Sequence, residues 1–412
     1  MMMNHAGNRA SYCNNDSWPV LFLRLEGIRM KITTELALPI VVQLMSVMEF
    51  NINIMDDQGV IVASGETERI GSLHEGALQV LGSRKQVLIG EEECLSLPGS
   101  KPGVNLPIEF QENIVGVVGI TGNPDEVYRF GKIIKMNVEA LLQQIHMNKQ
   151  LHFRKMVLES FIMELISPYE FSEKKLRMTA RTLQIDVNAE RSVMVVEIEE
   201  LKWPEETVSG EMLQKTGERK EQFLNDLKAM VSMQALYAYV EDGAFFIAIP
   251  VSDFLQPLVG KIEACLRRRG YRYCIGVGHP RSGLAGYKQS YGEARRCIRL
   301  SRKFGRQPQS ASFIDDWGIV PYLEMVPPEA RTEFLQKYGL FPQTLNEEYK
   351  LTLRTFLDCD LNVKQTAGLL HVHRNTLFYR LDKISQLLQL DYRKFNDLVK
   401  MKLLLTFERL QE

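Results

Sequence analysis

Apolar residues recur along most of this chain with either a helical or a strand period, and the switches between the two divide it into segments. Residues 1–29 show no convincing periodicity, and Met30 stands directly before the first strong pattern. Thr33 or Thr34 can cap a first helix, whose stripe is Leu36, Ile40, Leu44 and Val47. "NINIMDDQGVIVAS" then reads as strand, Asp-Asp-Gln-Gly turn and strand. "GSLHEGALQVLG" is helical, with Ser72 and Glu75 at the S-x-x-E spacing of a capping box. "KPGVNLPIEFQENIVGVVGITG" returns to two strands that turn between Gln111 and Asn113. Helical spacing is next sustained from 125 to about 166, through Ile133, Ile134, Val138, Leu141 and Ile145. That exceeds an ordinary globular helix, so it reads as a connector with an oligomeric seam.

The middle of the chain alternates. "RSVMVVEI" is a strand, 218–233 a helix, and "ALYAYVEDGAFFIAIP" a hairpin turning at Glu241, Asp242 and Gly243. A helix to Arg269, the strand "YRYCIGVG" and a helix from Leu284 to about Phe304 complete an α/β sandwich with an antiparallel element. The last eighty residues carry no strand signal and read as all helix.

Composition narrows the class. The 412 residues imply two to four domains, and 45% hydrophobic with 25% charged is ordinary for a soluble protein. The net charge of -1 does not exclude a locally basic module. Six scattered cysteines, with no C-x-x-C pair and no histidine at finger spacing, argue against zinc and a disulfide framework and for a reducing, cytoplasmic compartment. The apolar run at 20–25 is too short for a signal-peptide core or a membrane span. Residues 1–29 are therefore either a disordered leader or the product of a start codon placed upstream of the true one.

The densest chemistry lies near the C-terminus. In "NVKQTAGLLHVHRNTLFYRLDKI" a helix over about 363–370, a tight turn and a helix from about Arg374 form a helix-turn-helix, with Leu370, Val372, Leu377 and Leu381 in the shared core and small Ala367 at the crossing. His371 is a turn residue where glycine is common. The outer side of the second helix keeps Arg374, Asn375, Thr376, Phe378, Tyr379, Arg380 and Lys383. Arg pairs bidentately with guanine and Asn with adenine, while Tyr, Thr and Lys meet backbone oxygens. His373 joins them as a candidate contact, as do Lys364, Gln365 and Thr366 on the first helix. Residues 361–412 hold nine Lys or Arg against five Asp or Glu. The competing reading is an exposed helical hairpin with a solvated face, but confinement of the donors to one face favours double-stranded DNA. This segment resembles the C-terminal helix-turn-helix of the PucR/CdaR family of bacterial regulators.

Upstream, "ITTELALPIVVQLMSVMEFNINIMDDQGVIVASGETERIGSLHEGALQVL" and "KPGVNLPIEFQENIVGVVGITGNPDEV" are similar to the sugar-diacid recognition domain of the carbohydrate diacid regulators. The resemblance implies a PAS-like or Cache-like sensor of small hydroxy-diacids such as glucarate, galactarate or glycerate, and an activator of genes for their use. The residues themselves do not separate activator from repressor. A small anion needs donors and a positive field, and a helix N-terminus supplies both. Arg69, Gly71, Ser72 and His74 stand at one such terminus, and Lys101 and Asn105 can hold a second carboxylate and the hydroxyls. Glu75 is read as structural.

Residues 190–305 are similar to the GGDEF-like domain that such regulators carry. Diguanylate cyclases place a Gly-Gly-Asp/Glu-Glu-Phe turn where this chain has "YVEDGAFFI", without the glycine pair and with the acids before the glycine. Mg²⁺ and a triphosphate need clustered carboxylates and a backbone that approaches phosphate. The domain is therefore read as non-catalytic; the alternative is a nucleotide-processing, cyclase-like enzyme with regulatory flanks. No P-loop, G-x-S-x-G or H-E-x-x-H occurs, and "GVG" at 276–278 lacks the rest of a dinucleotide fingerprint. Residues 261–306 hold thirteen Lys or Arg and only Glu263 and Glu293 as acids. This is either a helical face paired with the acids between 197 and 211, which is favoured, or a second phosphate-contacting surface.

The expectation is thus a multidomain α+β protein: a PAS/Cache-like sensor at 30–145 with a helical connector to about 166, a degenerate GGDEF-like α/β domain at 167–310, and an all-α helix-turn-helix domain at 340–412. Its expected partners are a DNA operator, a small hydroxy-diacid, a second copy in a homodimer or higher homo-oligomer, and RNA polymerase, with no cofactor, metal or membrane.

Overall fold

A computed structural model describes residues 30–94, 101–202, 210–251, 255–305, 309–338 and 345–411, so the 1–29 segment lies outside the described residues. The chain divides into two compact units, residues 1–153 and 154–412.

The first unit holds α1 (Thr34–Met45), β1 (Ile52–Met55), β2 (Ile61–Ser64), α2 (Glu75–Ser83), β3 (Val87–Ile89), the single turn α3 (Glu91–Cys94), β4 (Gly103–Phe110) and β5 (Asn113–Thr121). The strands form one antiparallel sheet in the order β2-β1-β5-β4-β3. Period-two alternation sends Ile52, Ile54, Val104, Leu106, Val118 and Ile120 into a core with Ala37 and Val41 of α1 and Val127, Ile134 and Val138 of α4 (Pro124–Ile166). A smaller cluster gathers Met55, Ile61 and Val117 with Ala77 and Val80 of α2.

Two local expectations are corrected. The stripe of α1 is centred one residue later than expected: Ala37 and Val41 are fully buried, Leu36, Ile40 and Leu44 flank them, and Val47 lies beyond the helix and is exposed. Small residues let the helix axis approach the sheet, so they take the centre of the contact. The Ser72–Glu75 capping box does not form. Residues 71–73 are strapped to β2, with Gly71 N–H donating to Ile61 O at 2.8 Å and Ile61 N–H to Ser72 O at 2.9 Å. Ser72 Oγ donates to Arg69 O at 2.6 Å. The N-cap is His74, whose Nδ1 accepts from Ala77 N–H at 3.3 Å.

α4 runs unbroken for 43 residues, as the sustained helical spacing predicts. Its buried positions in the first unit are Val127, Ile134, Val138 and Leu142, while Ile133 and Leu141 of the expected stripe are exposed.

The second unit contains α5 (Glu173–Thr182), β6 (Arg191–Ile198), α6 (Gly210–Met230), β7 (Leu236–Glu241), β8 (Ala244–Pro250), α7 (Leu255–Arg268), β9 (Tyr273–Val277), α8 (Gly283–Lys303) and β10 (Ala311–Phe313). Its sheet order is β10-β9-β6-β8-β7, antiparallel except for the β10–β9 pair. β10 escapes sequence reading because three residues carry no alternation and only parallel pairing with β9 makes them a strand. Then follow α9 (Val320–Leu323), α10 (Pro328–Lys337), α11 (Glu347–Asp358), α12 (Val363–Leu369), α13 (Arg374–Leu388) and α14 (Phe395–Gln411). One core joins Leu353 and Phe356 of α11, Leu377, Leu381, Ile384 and Leu388 of α13, and Met401, Leu404 and Leu405 of α14. Cys297 and Leu300 of α8 enter the same cluster.

Candidate functional site

α12 and α13 meet through a short turn. Asn362 caps α12 by accepting Gln365 N–H at 3.1 Å. His371 follows in the left-handed region at φ 53°, the conformation that ends a helix sharply. His373 then caps α13, its Nδ1 accepting from Asn375 N–H at 3.3 Å. Leu377 and Leu381 are fully buried, with Leu370 and Val372 packed beside them.

This anchoring leaves Arg374, Asn375, Thr376, Phe378 and Tyr379 exposed on one side of α13. Lys383 is half-buried, its Nζ 3.3 Å from Gln386 Oε1 and 5.9 Å from the centre of the Tyr379 ring. On α12, Lys364 and Gln365 are exposed and line an open depression with Asn362, Gly368 and Leu369. Two expected contacts face elsewhere. Arg380 turns back to α11, in an ion pair with Glu348 and 3.4 Å from Thr352 Oγ1. Thr366 is fully buried and donates its hydroxyl to Asn362 O at 2.7 Å. Both are taken up inside the domain, because helical geometry rotates them onto the packed side.

In the first unit, His74 and Asn105 are buried at 7% and 3% exposure. A Cβ built on Gly76 would stand 2.7 Å from Asn105 Nδ2 and 3.2 Å from His74 Cε1, so both side chains converge on the first turn of α2. Burial, reinforced by the charge of Arg69, lowers the His74 pKa to about 4 and keeps the ring neutral. Gly71 and Ser72 are exposed on the strap, and Lys101 forms an exposed ion pair with Glu66 at 2.7 Å. The geometry thus brings together Arg69, His74 and Asn105, with Lys101 turned to Glu66. Sequence reading missed Asn53 and Ser64, which are buried on the same sheet and hydrogen-bonded at 2.6 Å. The polar residue at the alternate position of "NINIM" is the signal that could have found them.

The hairpin turn of the second unit is built by Asp242 at φ 39° and Gly243 at φ 76°. A Cβ on Gly243 would lie 2.4 Å from Ile198 O, so only glycine fits. The nearby carboxylates face arginines: Glu197 pairs with Arg295 at 2.6 Å and with Arg302, and Glu241 lies 3.8 Å from Arg295. Other cations of the basic stretch pair likewise, Arg272 with Glu200 at 3.3 Å, Arg269 with Asp226 at 2.6 Å, and Arg299 with Glu324 at 2.7 Å. This matches the favoured reading of a paired face, with Asp226 and Glu324 adding partners from outside the expected acidic stretch, part of which (203–209) lies outside the described residues. Among the described residues there is no cluster of three His, Cys, Asp or Glu able to hold a metal. Nor, among them, is any helix long and apolar enough to cross a membrane.

A helix-turn-helix whose second helix carries Arg, Asn, Thr and Tyr on an open face defines a DNA-binding transcriptional regulator. Comparison with known families supports this. Residues 32–165 match the model for sugar diacid recognition, 170–300 the GGDEF-like domain, and 350–406 the PucR C-terminal helix-turn-helix domain. In this domain set the chain is similar to the carbohydrate diacid and PucR-type transcriptional regulators. The carbohydrate diacid regulator of Escherichia coli is 29% identical over 88% of this chain and 94% of that protein. The uncharacterized protein YsfB of Bacillus subtilis is 28% identical over 90% of this chain and 97% of its own length. The DNA-binding transcriptional activator AdeR of Bacillus subtilis is 23% identical over 58% of this chain and 56% of its own.

Proposed function

We propose that this regulator binds its operator through Arg374, Asn375, Thr376, Tyr379 and Lys383, and switches genes for the use of a small hydroxy-acid, a diacid of the glucarate or galactarate kind or the monoacid glycerate. The observation that carries the DNA reading is the exposed polar face of α13 above a buried leucine row. His373, Lys364 and Gln365 flank it as contacts to phosphate. The effector site is Arg69, His74 and Asn105 at the start of α2, with Gly71, Ser72 and Lys101 at its rim. A sheet order of β2-β1-β5-β4-β3 with helices on both faces supports the PAS/Cache-like reading of this sensor.

The regulator works in the cytoplasm as a homodimer or larger homo-oligomer and acts as an activator that touches RNA polymerase. The GGDEF-like domain is non-catalytic, because Glu197 and Glu241, beside its turn, face Arg295 instead of an open cation site. Selection of bound duplexes from a random pool, followed by footprinting, tests the DNA reading; a chain that retains no sequence above non-specific background overturns it. Incubation with GTP and Mg²⁺ tests the non-catalytic reading, which cyclase-like turnover would sink.

A further inference from the structure

The register of the sensor sheet puts four residues in one row: Ser64 opposite Asn53, Asn53 opposite Gly119, and Gly119 opposite Asn105. Residues directly paired on antiparallel strands project to the same face. Ser64, Asn53 and Asn105 therefore share the face covered by α2, and each is buried to within 3% exposure. Polar groups in such a layer are costly unless bonded. Ser64 Oγ donates to Asn53 Oδ1 at 2.6 Å, so these two support each other. Asn105 Oδ1 is buried and has no hydrogen-bond partner among the described residues.

The surroundings hold that amide in place. A Cβ at position 119 would sit 2.7 Å from Asn105 Oδ1 and 3.4 Å from Met55 Cε, so glycine is what leaves room for the amide oxygen. On its other side the amide nitrogen presses on Gly76, beside the His74 ring. Because His74 Nδ1 accepts Ala77 N–H, the neutral ring carries its proton on Nε2, as a donor. The Asn105 amide, a ring donor and a helix N-terminus thus lie side by side, with the orphaned acceptor on the edge of the amide that faces Gly119.

From this geometry we infer that Asn105 reads the hydroxyl groups of the effector: a small polyhydroxy carboxylate donates a hydroxyl to Asn105 Oδ1 while its carboxylate meets His74 and Arg69 at the start of α2. Gly119 leaves the space in which the amide sits. This rests on the effector site proposed above and adds its specificity. A dicarboxylate without hydroxyls keeps the charge contacts but leaves the Asn105 acceptor unpaired, and its affinity falls roughly ten- to a hundred-fold.

Titration calorimetry on the full chain with glucarate and with adipate tests this, since the two share carbon chain and terminal carboxylates and differ only in hydroxyls. The wild-type chain is expected to prefer glucarate by at least roughly tenfold. Asn105→Val is expected to bring glucarate down to the level of adipate while adipate is unchanged. Gly119→Ala, whose methyl displaces the Asn105 amide, gives a second variant with the same expected collapse should Asn105→Val fail to fold. A folded Asn105→Val or Gly119→Ala chain that keeps the wild-type ratio overturns the inference. Equal wild-type binding of both acids, lost together in Arg69→Ala, also overturns it and leaves the effector site standing. Binding of neither acid, or wild-type affinity in Arg69→Ala, overturns the effector site itself and this inference with it.

Discussion

Arg374 and Arg380 lie on the same helix with opposite partners. Arg374 stands in solvent at the helix start, whereas Arg380 is closed against Glu348 of α11. Arg374→Ala and Asn375→Ala should each weaken specific DNA binding by about 1–3 kcal/mol at the base they read. Arg380→Ala should leave base preference unchanged and lower stability by up to about 1 kcal/mol, since its Glu348 partner is half in solvent. Competition binding with single-base operator variants, beside denaturant melts, separates the two; unchanged discrimination in the Arg374→Ala/Asn375→Ala double variant would sink the recognition-helix assignment. Both arginines are equally plain in "RNTLFYR". Only the packing of α11 against α13 distinguishes them, and that pairing is set by tertiary structure.

His74 gives a pH signature at the same scale. Its folded pKa of about 4 lies below the value near 6.5 of an unfolded histidine. Between those limits the unfolded chain takes up a proton that the folded one refuses. Stability is therefore full above about pH 6.5 and lost on acidification toward 4, by up to about 3 kcal/mol. His74→Asn keeps a capping side chain but does not titrate, so its melting temperature should fall less than wild type between pH 7 and 4.5. Parallel curves for the two would remove His74 as the source.

At the level of elements, helix starts and strand pairs were mostly legible and helix caps were not. The α12–turn–α13 boundaries, the β4–β5 and β7–β8 hairpins and the extent of α4 follow from periodicity and turn chemistry. The start of α2 does not, because S-x-x-E spacing is local while the strap that ties 71–73 to β2 is long-range. A concrete consequence follows for capping. His74→Ala should cost about 1 kcal/mol of unliganded stability at neutral pH, the usual loss of a cap. Ser72→Ala, on the exposed strap, should stay within about 0.5 kcal/mol. Chemical denaturation of the two variants reads this directly, and a Ser72→Ala loss equal to that of His74→Ala would contradict the cap assignment.

For the whole molecule, a single helix-turn-helix covers too few base pairs to be selective, so two copies on paired half-sites are the expected arrangement. Lys383→Ala should then weaken all sequences alike and reduce the salt dependence by about one phosphate per copy. Affinity measured across a salt series checks this, and an unchanged slope would take Lys383 off the phosphates. The sequence alone determined the class: a long motif with donors on one helical face, and a sensor pattern upstream, are local and periodic features that survive without coordinates. Which donors stay open, which carboxylates arginines neutralise, and which buried acceptor lacks a partner depend on residues far apart in the chain. Asn53, Gly119 and Asn105 become neighbours only when three strands pair in register, and one residue of slip would send each to the opposite face.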